Sequence, residues 1–102
     1  MQKWKLTVSI GIYIFHKNSL SKESKDRLKK KVSNICKRIN SNSKLVMRGG
    51  GDSIWAEAKW MFSSKSKTKA TAERKRLINR YVIPAIRGNG LRIMSHELRK
   101  IK

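Results

Sequence analysis

A run of positive side chains between residues 65 and 75 is the part of this sequence best suited to chemistry. Ser66 or Thr68 can cap a helix that begins within the run. The start of a helix is the positive end of its dipole, and its free N–H groups bind anions. The cations predict phosphate contacts that need no particular base sequence. They are Lys65, Lys67, Lys69, Arg74 and Lys75.

The whole chain is strongly basic. It has 102 residues, of which 26 are Lys or Arg and 6 are Asp or Glu, so that the formal net charge is +20. The cations are divided equally between the two halves of the chain, so the fold itself is basic rather than a tail attached to it. Since so much like charge repels itself in a compact state, a polyanion is the expected partner. The prediction is nucleic acid, RNA or DNA, before any membrane surface.

The elements that must position these groups begin with a long strand. Large apolar residues occupy every even position from Trp4 to Ile14, and smaller or polar residues occupy most odd positions up to Phe15. Strict alternation predicts a strand with one face in a core and one face free. Gly11 marks the expected position of a bulge or bend. The run is too short to span a bilayer, so no membrane partner is expected.

The remaining elements follow from periodicity and from turn residues. Ser19 or Ser21 caps a helix whose apolar stripe ends at Ile39. A second helix follows the basic run, with an inner side that includes Tyr81, and Pro84 ends or kinks it. The predicted strands after the first are 44–48, 53–62 and 91–94, with a glycine turn at 49–52 and a frayed tail or short helical turn at 96–102.

This order of elements predicts a single α+β domain over residues 1–102. It is a ferredoxin-like βαββαβ arrangement with two helices on one face of an antiparallel sheet. The first and third strands should lie side by side in the middle of the sheet. Their free face would then hold aromatic rings surrounded by cations.

Such a face could stack unpaired bases on its aromatic rings. With the aromatic residues on the first and third strands, the layout resembles an RNA-recognition motif, although residues 53–59 lack that family's third-strand motif. A second copy of the chain could instead cover the rings in a homodimer. In addition to the basic run, the predicted nucleic-acid contacts are Lys3, Lys5, Tyr13, Phe15, Arg48, Trp55 and Lys59.

Residues 64–72 are similar to the lysine-bearing start of the last helix in double-stranded RNA-binding domains. In that family, lysines at a helix N-terminus hold the phosphates of a duplex. The resemblance covers this one element and leaves open whether a duplex or a single strand is bound.

A nuclease is an alternative interpretation. Asp52 together with Glu57-Ala58-Lys59 resembles the metal-binding core of restriction-type nucleases. The resemblance implies that Asp52 and Glu57 hold Mg²⁺ and that Lys59 assists the attacking water. Our main prediction assigns no catalytic residue, metal or cofactor.

A second alternative is a basic module that docks on an acidic protein surface. The single cysteine, Cys36, excludes an internal disulfide and is expected to be buried as a small apolar residue. The basic N-terminus and its apolar run have the outline of a signal peptide but no small-residue cleavage pattern. An intracellular protein is therefore expected.

Overall fold

The computed structural model describes residues 1–13, 22–40, 44–46 and 53–101, with the side chains of residues 13, 44–46 and 53 excepted. The fold is mixed α+β. None of the helices within these ranges is long and apolar enough to cross a membrane. In chain order the elements are strand β1 (Gln2–Tyr13), helix α1 (Lys22–Ile39), β2 (Lys44–Val46), β3 (Ser53–Ser64), α2 (Lys67–Leu77), a π-helical segment (Ile78–Val82), α3 (Ile83–Ile86) and β4 (Arg92–Lys100).

Strand β1 lies between β3 and β4 in an antiparallel sheet of order β2-β3-β1-β4. The alternation in the sequence predicted which face of β1 is buried, and this is confirmed. Trp4 is 5% exposed, and Leu6, Val8 and Ile10 are fully buried. Each faces an apolar or small residue of β3, for example Val8 opposite Ala58. The sheet is therefore built around a central strand that buries one of its faces in the hydrophobic core.

Gly11 does not form the bulge that the sequence suggested. The pairing of β1 with β3 runs without a shift from Gln2 opposite Ser64 to Tyr13 opposite Ser53. Instead, Gly11 lies against Trp55, its partner across the strands. A side chain at position 11 would overlap the carbonyl oxygen of Ile54 and come within 2.6 Å of the Trp55 Cβ atom. Close backbone approach therefore explains the glycine.

The expectation of a frayed tail or helical turn at 96–102 is wrong, because β4 continues to Lys100. This strand pairs with β1 as far as Lys100 opposite Trp4. The register shifts by one residue on β4, since Ser9 pairs with Ser95 whereas Ile10 pairs with Ile93. Met94 is the extra residue. The bulge breaks the period-2 pattern, so the alternation in the sequence stops at Met94 although the strand continues.

Buried residues of α1, Leu77 and Val82, and even-numbered residues of β1 belong to one hydrophobic core. From α1, the stripe Val32, Ile35, Cys36 and Ile39 is buried as predicted, and Leu28 packs partly against it. Leu77 and Val82 belong to the same cluster. Burial raises the pKa of the Cys36 thiol to about 11. This thiol is a packed core group, and it is protonated at neutral pH.

The second helical region, which comprises α2, the π-helical segment and α3, differs from the sequence prediction in its C-terminal half. The sequence predicted that Pro84 ends or kinks the helix, and the structure shows that the helix continues through this residue to Ile86. A π segment precedes the proline, and the N–H group of Ile83 donates to the carbonyl of Ile78, five residues earlier. The wider turn places Leu77 and Val82 in the core and leaves Tyr81 39% exposed, contrary to prediction. Pro84, which has no backbone N–H donor, is tolerated here because the helical hydrogen bonds have already changed from i→i−4 to i→i−5 spacing.

Candidate nucleic-acid interface

The start of α2 is held in place by two serines. Of the two predicted caps, Ser66 and Thr68, Ser66 is the N-cap, and its Oγ atom accepts a hydrogen bond of 3.2 Å from the backbone N–H of Lys69. The hydroxyl of buried Ser64 donates to the carbonyl oxygen of Ser66 at 3.2 Å. These contacts fix the entry of the chain into the helix. The side chains of Lys65, Lys67 and Lys69 are exposed around this fixed end.

No acidic residue lies in the first turn of α2. Negative charge would be favourable there and positive charge is unfavourable, because the helix dipole is positive at this end. Within the ranges that the structure describes, none of the five predicted cations of this region lies within 4.0 Å of a carboxylate. Lys65, Lys67, Lys69 and Lys75 are exposed, and Arg74 is half-buried.

Glu73 is the nearest acid along α2, and Arg76 already neutralises it. The Nε atom of Arg76 donates to both carboxylate oxygens of Glu73 at 3.1 Å. These hydrogen bonds lower the pKa of Glu73. The carboxylate is thus engaged with Arg76, and it forms no ion pair with the lysines at the start of the helix.

Helix α1 presents a second basic surface. Within the described part of this helix, an ion pair joins the Lys29 Nζ atom to an Asp26 carboxylate oxygen at 3.7 Å. Six other cations of its solvent side are exposed and are not within salt-bridge distance of a carboxylate in the described ranges. This group consists of Lys22, Arg27, Lys30, Lys31, Lys37 and Arg38.

The side of the sheet that carries the odd residues of β1, here called the outer sheet face, has a mixed charge. Lys5 lies between Met61 of β3 and Arg99 of β4, and Thr7 lies between Lys59 and Glu97. A shallow depression of about 200 Å³ on this face is lined by Lys5, Thr7, Glu57, Lys59, Glu97 and Arg99. Arg99 pairs with Glu97 at 3.6 Å. The acids therefore offset much of the positive charge that the sequence predicted for this face.

The predicted stacking platform lies only partly within the described residues. Trp55 is half-buried on the outer sheet face, opposite Gly11. The Tyr13 side chain, Phe15 and Arg48 fall outside the described part, and Lys3 is exposed near the opposite end of β1. The structure thus places Trp55 and Lys3 far apart along the strand pair, and base stacking on this face stays a prediction.

Glu57 and Lys59, the residues that suggested a nuclease, form an ion pair. Their Oε2 and Nζ atoms are 3.8 Å apart, and both groups are partly exposed. Asp52 lies outside the described residues. Across the described ranges, no three side chains of the types His, Cys, Asp and Glu come together as a metal site. The catalytic assignment to Asp52, Glu57 and Lys59 stays a prediction.

A groove between α2 and β4 was not predicted from the sequence. It has a volume of about 420 Å³. The sequence predicted a tail or short helical turn at 96–102, so the β4 wall of the groove was not expected. The π segment was not expected either, because hydrophobic periodicity does not reveal it. The groove is lined by Thr68, Thr71, Ala72, Arg74, Lys75, Ile78, Asn79 and His96.

Comparison of the chain with models of known protein families, with curated proteins and with solved structures found no match.

Proposed function

We propose that this chain binds nucleic acid, chiefly through the phosphate backbone, with the start of α2 as the central contact and the exposed face of α1 as a flanking one. The domain is proposed to be ferredoxin-like, with both helices on one side of the sheet. The strand order and the shared core of the two helices support this arrangement. An intracellular location belongs to the same proposal, because cellular nucleic acid lies there.

The observation that carries the proposal is the unfavourable placement of charge at the start of α2. Lys65, Lys67 and Lys69 surround a positive helix end that has no acid in its first turn. Within the described residues none of the three lies within 4.0 Å of a carboxylate, and Glu73, which shares a pocket with Lys65 and Lys69, is paired with Arg76. A bound phosphate chain would, since each phosphate accepts from backbone N–H groups and from lysines together. Contacts of this kind bind single strands and duplexes without regard to sequence.

The outer sheet face is a weaker candidate for the main contact. Its described centre holds Glu57 and Glu97 among its cations, and two ion pairs engage them. A phosphate chain laid there would meet these carboxylates. Trp55 can still stack a base from a strand that crosses this face. Stacking is thus a secondary contact in the proposal.

The test removes the three lysines and compares the result with an equal loss of charge elsewhere. Lys65, Lys67 and Lys69 are changed to Ala together, and the control changes Lys30, Lys31 and Lys37 of α1 to Ala. Binding of a labelled single strand and a labelled duplex is measured by fluorescence anisotropy at several salt concentrations. The α2 variant should weaken both ligands similarly and reduce the log–log salt slope by about two to three, since each lost phosphate contact contributes about 0.9.

The control should lose less affinity and less of the salt slope. An equal loss in both variants would contradict the central place of α2. A wild-type protein that binds neither ligand in dilute buffer would contradict the function itself.

A further inference from the structure

The groove between α2 and β4 combines an apolar floor with a basic, hydrogen-bonding rim. Ile78 and Ala72 supply apolar surface, and Arg74 and Lys75 supply positive charge. No acidic residue is among the described residues that line it. A volume of about 420 Å³ is within the range of small-ligand sites.

The π segment supplies one wall of this groove. Ile78 and Asn79 are its first two residues, and both line the groove. Within the segment the wide turn leaves Tyr81 exposed while Val82 is buried. Single π turns in helices are rare and often occur at functional sites.

The bulge in β4 supplies the opposite wall. With Met94 as the extra residue, His96 pairs with Val8, whose side chain lies in the core, so His96 is on the helix side of the sheet. Without the bulge, the alternation of the strand would place His96 on the outer sheet face, away from α2. Bulges commonly redirect a side chain beside a binding site. Two separate irregularities of the backbone therefore meet at one groove.

The chemistry of the lining selects the ligand. An apolar floor suits the flat face of a ring, and the Asn79 amide can donate to and accept from a base edge. The threonine hydroxyls and the cations suit the phosphate and the sugar. An acidic ligand matches the charge, since no carboxylate lines the groove to oppose it.

We propose that this groove holds one unpaired nucleotide of a bound single strand. The proposal rests on the nucleic-acid binding proposed above, and it adds a base-binding site to a surface that otherwise contacts phosphates. The base would lie on Ile78 and Ala72, with its phosphate beside Arg74 and Lys75. A base that is paired within a duplex cannot enter, so the groove favours single strands.

The test uses two groove variants, each with a control on α1. Ala72→Leu fills the groove and Asn79→Asp places a negative charge in it. Asn34→Leu and Asn34→Asp make comparable changes at an exposed site on α1, away from the groove. Because Ala72 and Asn79 are also exposed, all four variants should fold, and thermal unfolding monitored by circular dichroism checks this.

Each protein is titrated with a labelled single strand, with the same sugar-phosphate chain lacking all bases, and with a blunt duplex, at one salt concentration. The wild type should prefer the base-bearing strand over the abasic chain by about tenfold, the scale of one stacked base. Ala72→Leu should remove most of this preference, the remainder coming from stacking on Trp55, and Asn79→Asp should reduce it, while both Asn34 variants retain it. Affinity for the duplex should change no more in a groove variant than in its Asn34 control.

A wild type that binds the three ligands equally well, or groove variants that retain the preference, would overturn the groove proposal and leave the proposed function standing. Groove variants that weaken all three ligands alike would also overturn it, because the groove would then be part of the general phosphate surface. A wild type that binds none of them would remove the proposed function.

Discussion

Lys67 occupies the first position of α2, where the backbone already carries partial positive charge. A cation at this position lowers the stability of the folded protein, and an acid would raise it. The same cation is favourable once a phosphate is bound. Stability and binding therefore make opposite demands on this residue, as is common at functional sites.

We expect Lys67→Glu to stabilise the free protein by about 0.5–1 kcal/mol, because the carboxylate interacts favourably with the helix dipole. The same change should weaken oligonucleotide binding several-fold. Urea unfolding and anisotropy titration in one buffer measure the two effects. Arg87→Glu, at the C-terminal end of the helical region, reverses the same charge and should instead destabilise the protein. Loss of stability in Lys67→Glu would contradict this account of the helix start.

Gly11 is predicted to be intolerant of any side chain. Gly11→Ala should lower the free energy of unfolding by about 1–3 kcal/mol, because the added methyl group overlaps the β3 backbone. Gly88→Ala is the control, since its site is open but its φ is +80°, and it should cost only about 1 kcal/mol. Urea titrations measure both values. If the change at Gly11 costs no more than the change at Gly88, the close approach of β1 and β3 is wrong.

Among the elements, those with an unbroken period were predictable from the sequence. The alternation of β1 and the apolar stripe of α1 are each confirmed by the buried residues. The second half of the second helical region and most of β4 were not predictable. Ile93 and Leu98 lie five residues apart, a spacing that places them on opposite faces of a regular strand. The bulge brings both to the core side, opposite Ile10 and Leu6.

The assignment of β4 as a full strand leads to a prediction about Leu98. Leu98→Ala should destabilise the protein by about 2 kcal/mol, because Leu98 packs against the core opposite Leu6. Ile101→Ala, at a more exposed site just after the strand, should change stability by less than about 0.5 kcal/mol. Chemical denaturation measures both variants. Equal small effects would restore the frayed tail that the sequence suggested.

The candidate site shows a similar division between what the sequence could and could not predict. The cations of α2 and their serine cap were found because charge and capping residues are local properties of the sequence. The groove was missed because its walls meet only through the bulge and the π segment. The partial offset of positive charge on the outer sheet face was not predicted. Glu97 and Arg99 lie on that face because β4 extends through residues that the sequence suggested were a tail.

At the scale of the whole molecule, charge is the dominant property. Four of the acids in the described ranges pair with nearby cations, and the net charge of +20 leaves a large excess of positive charge. This excess repels itself in the free protein and attracts a phosphate polymer. Salt weakens both effects, which makes ionic strength the most informative variable.

The most direct test is the salt dependence of oligonucleotide binding by the unmodified chain. The dissociation constant for a labelled duplex and for a single strand is measured across a series of monovalent salt concentrations. The account predicts tight binding in dilute buffer and a log–log slope of magnitude about five or more for the duplex and about four or more for the single strand, as expected if six or more phosphates are contacted. An affinity that does not change with salt, or no binding of either ligand at the lowest salt concentration, would contradict it.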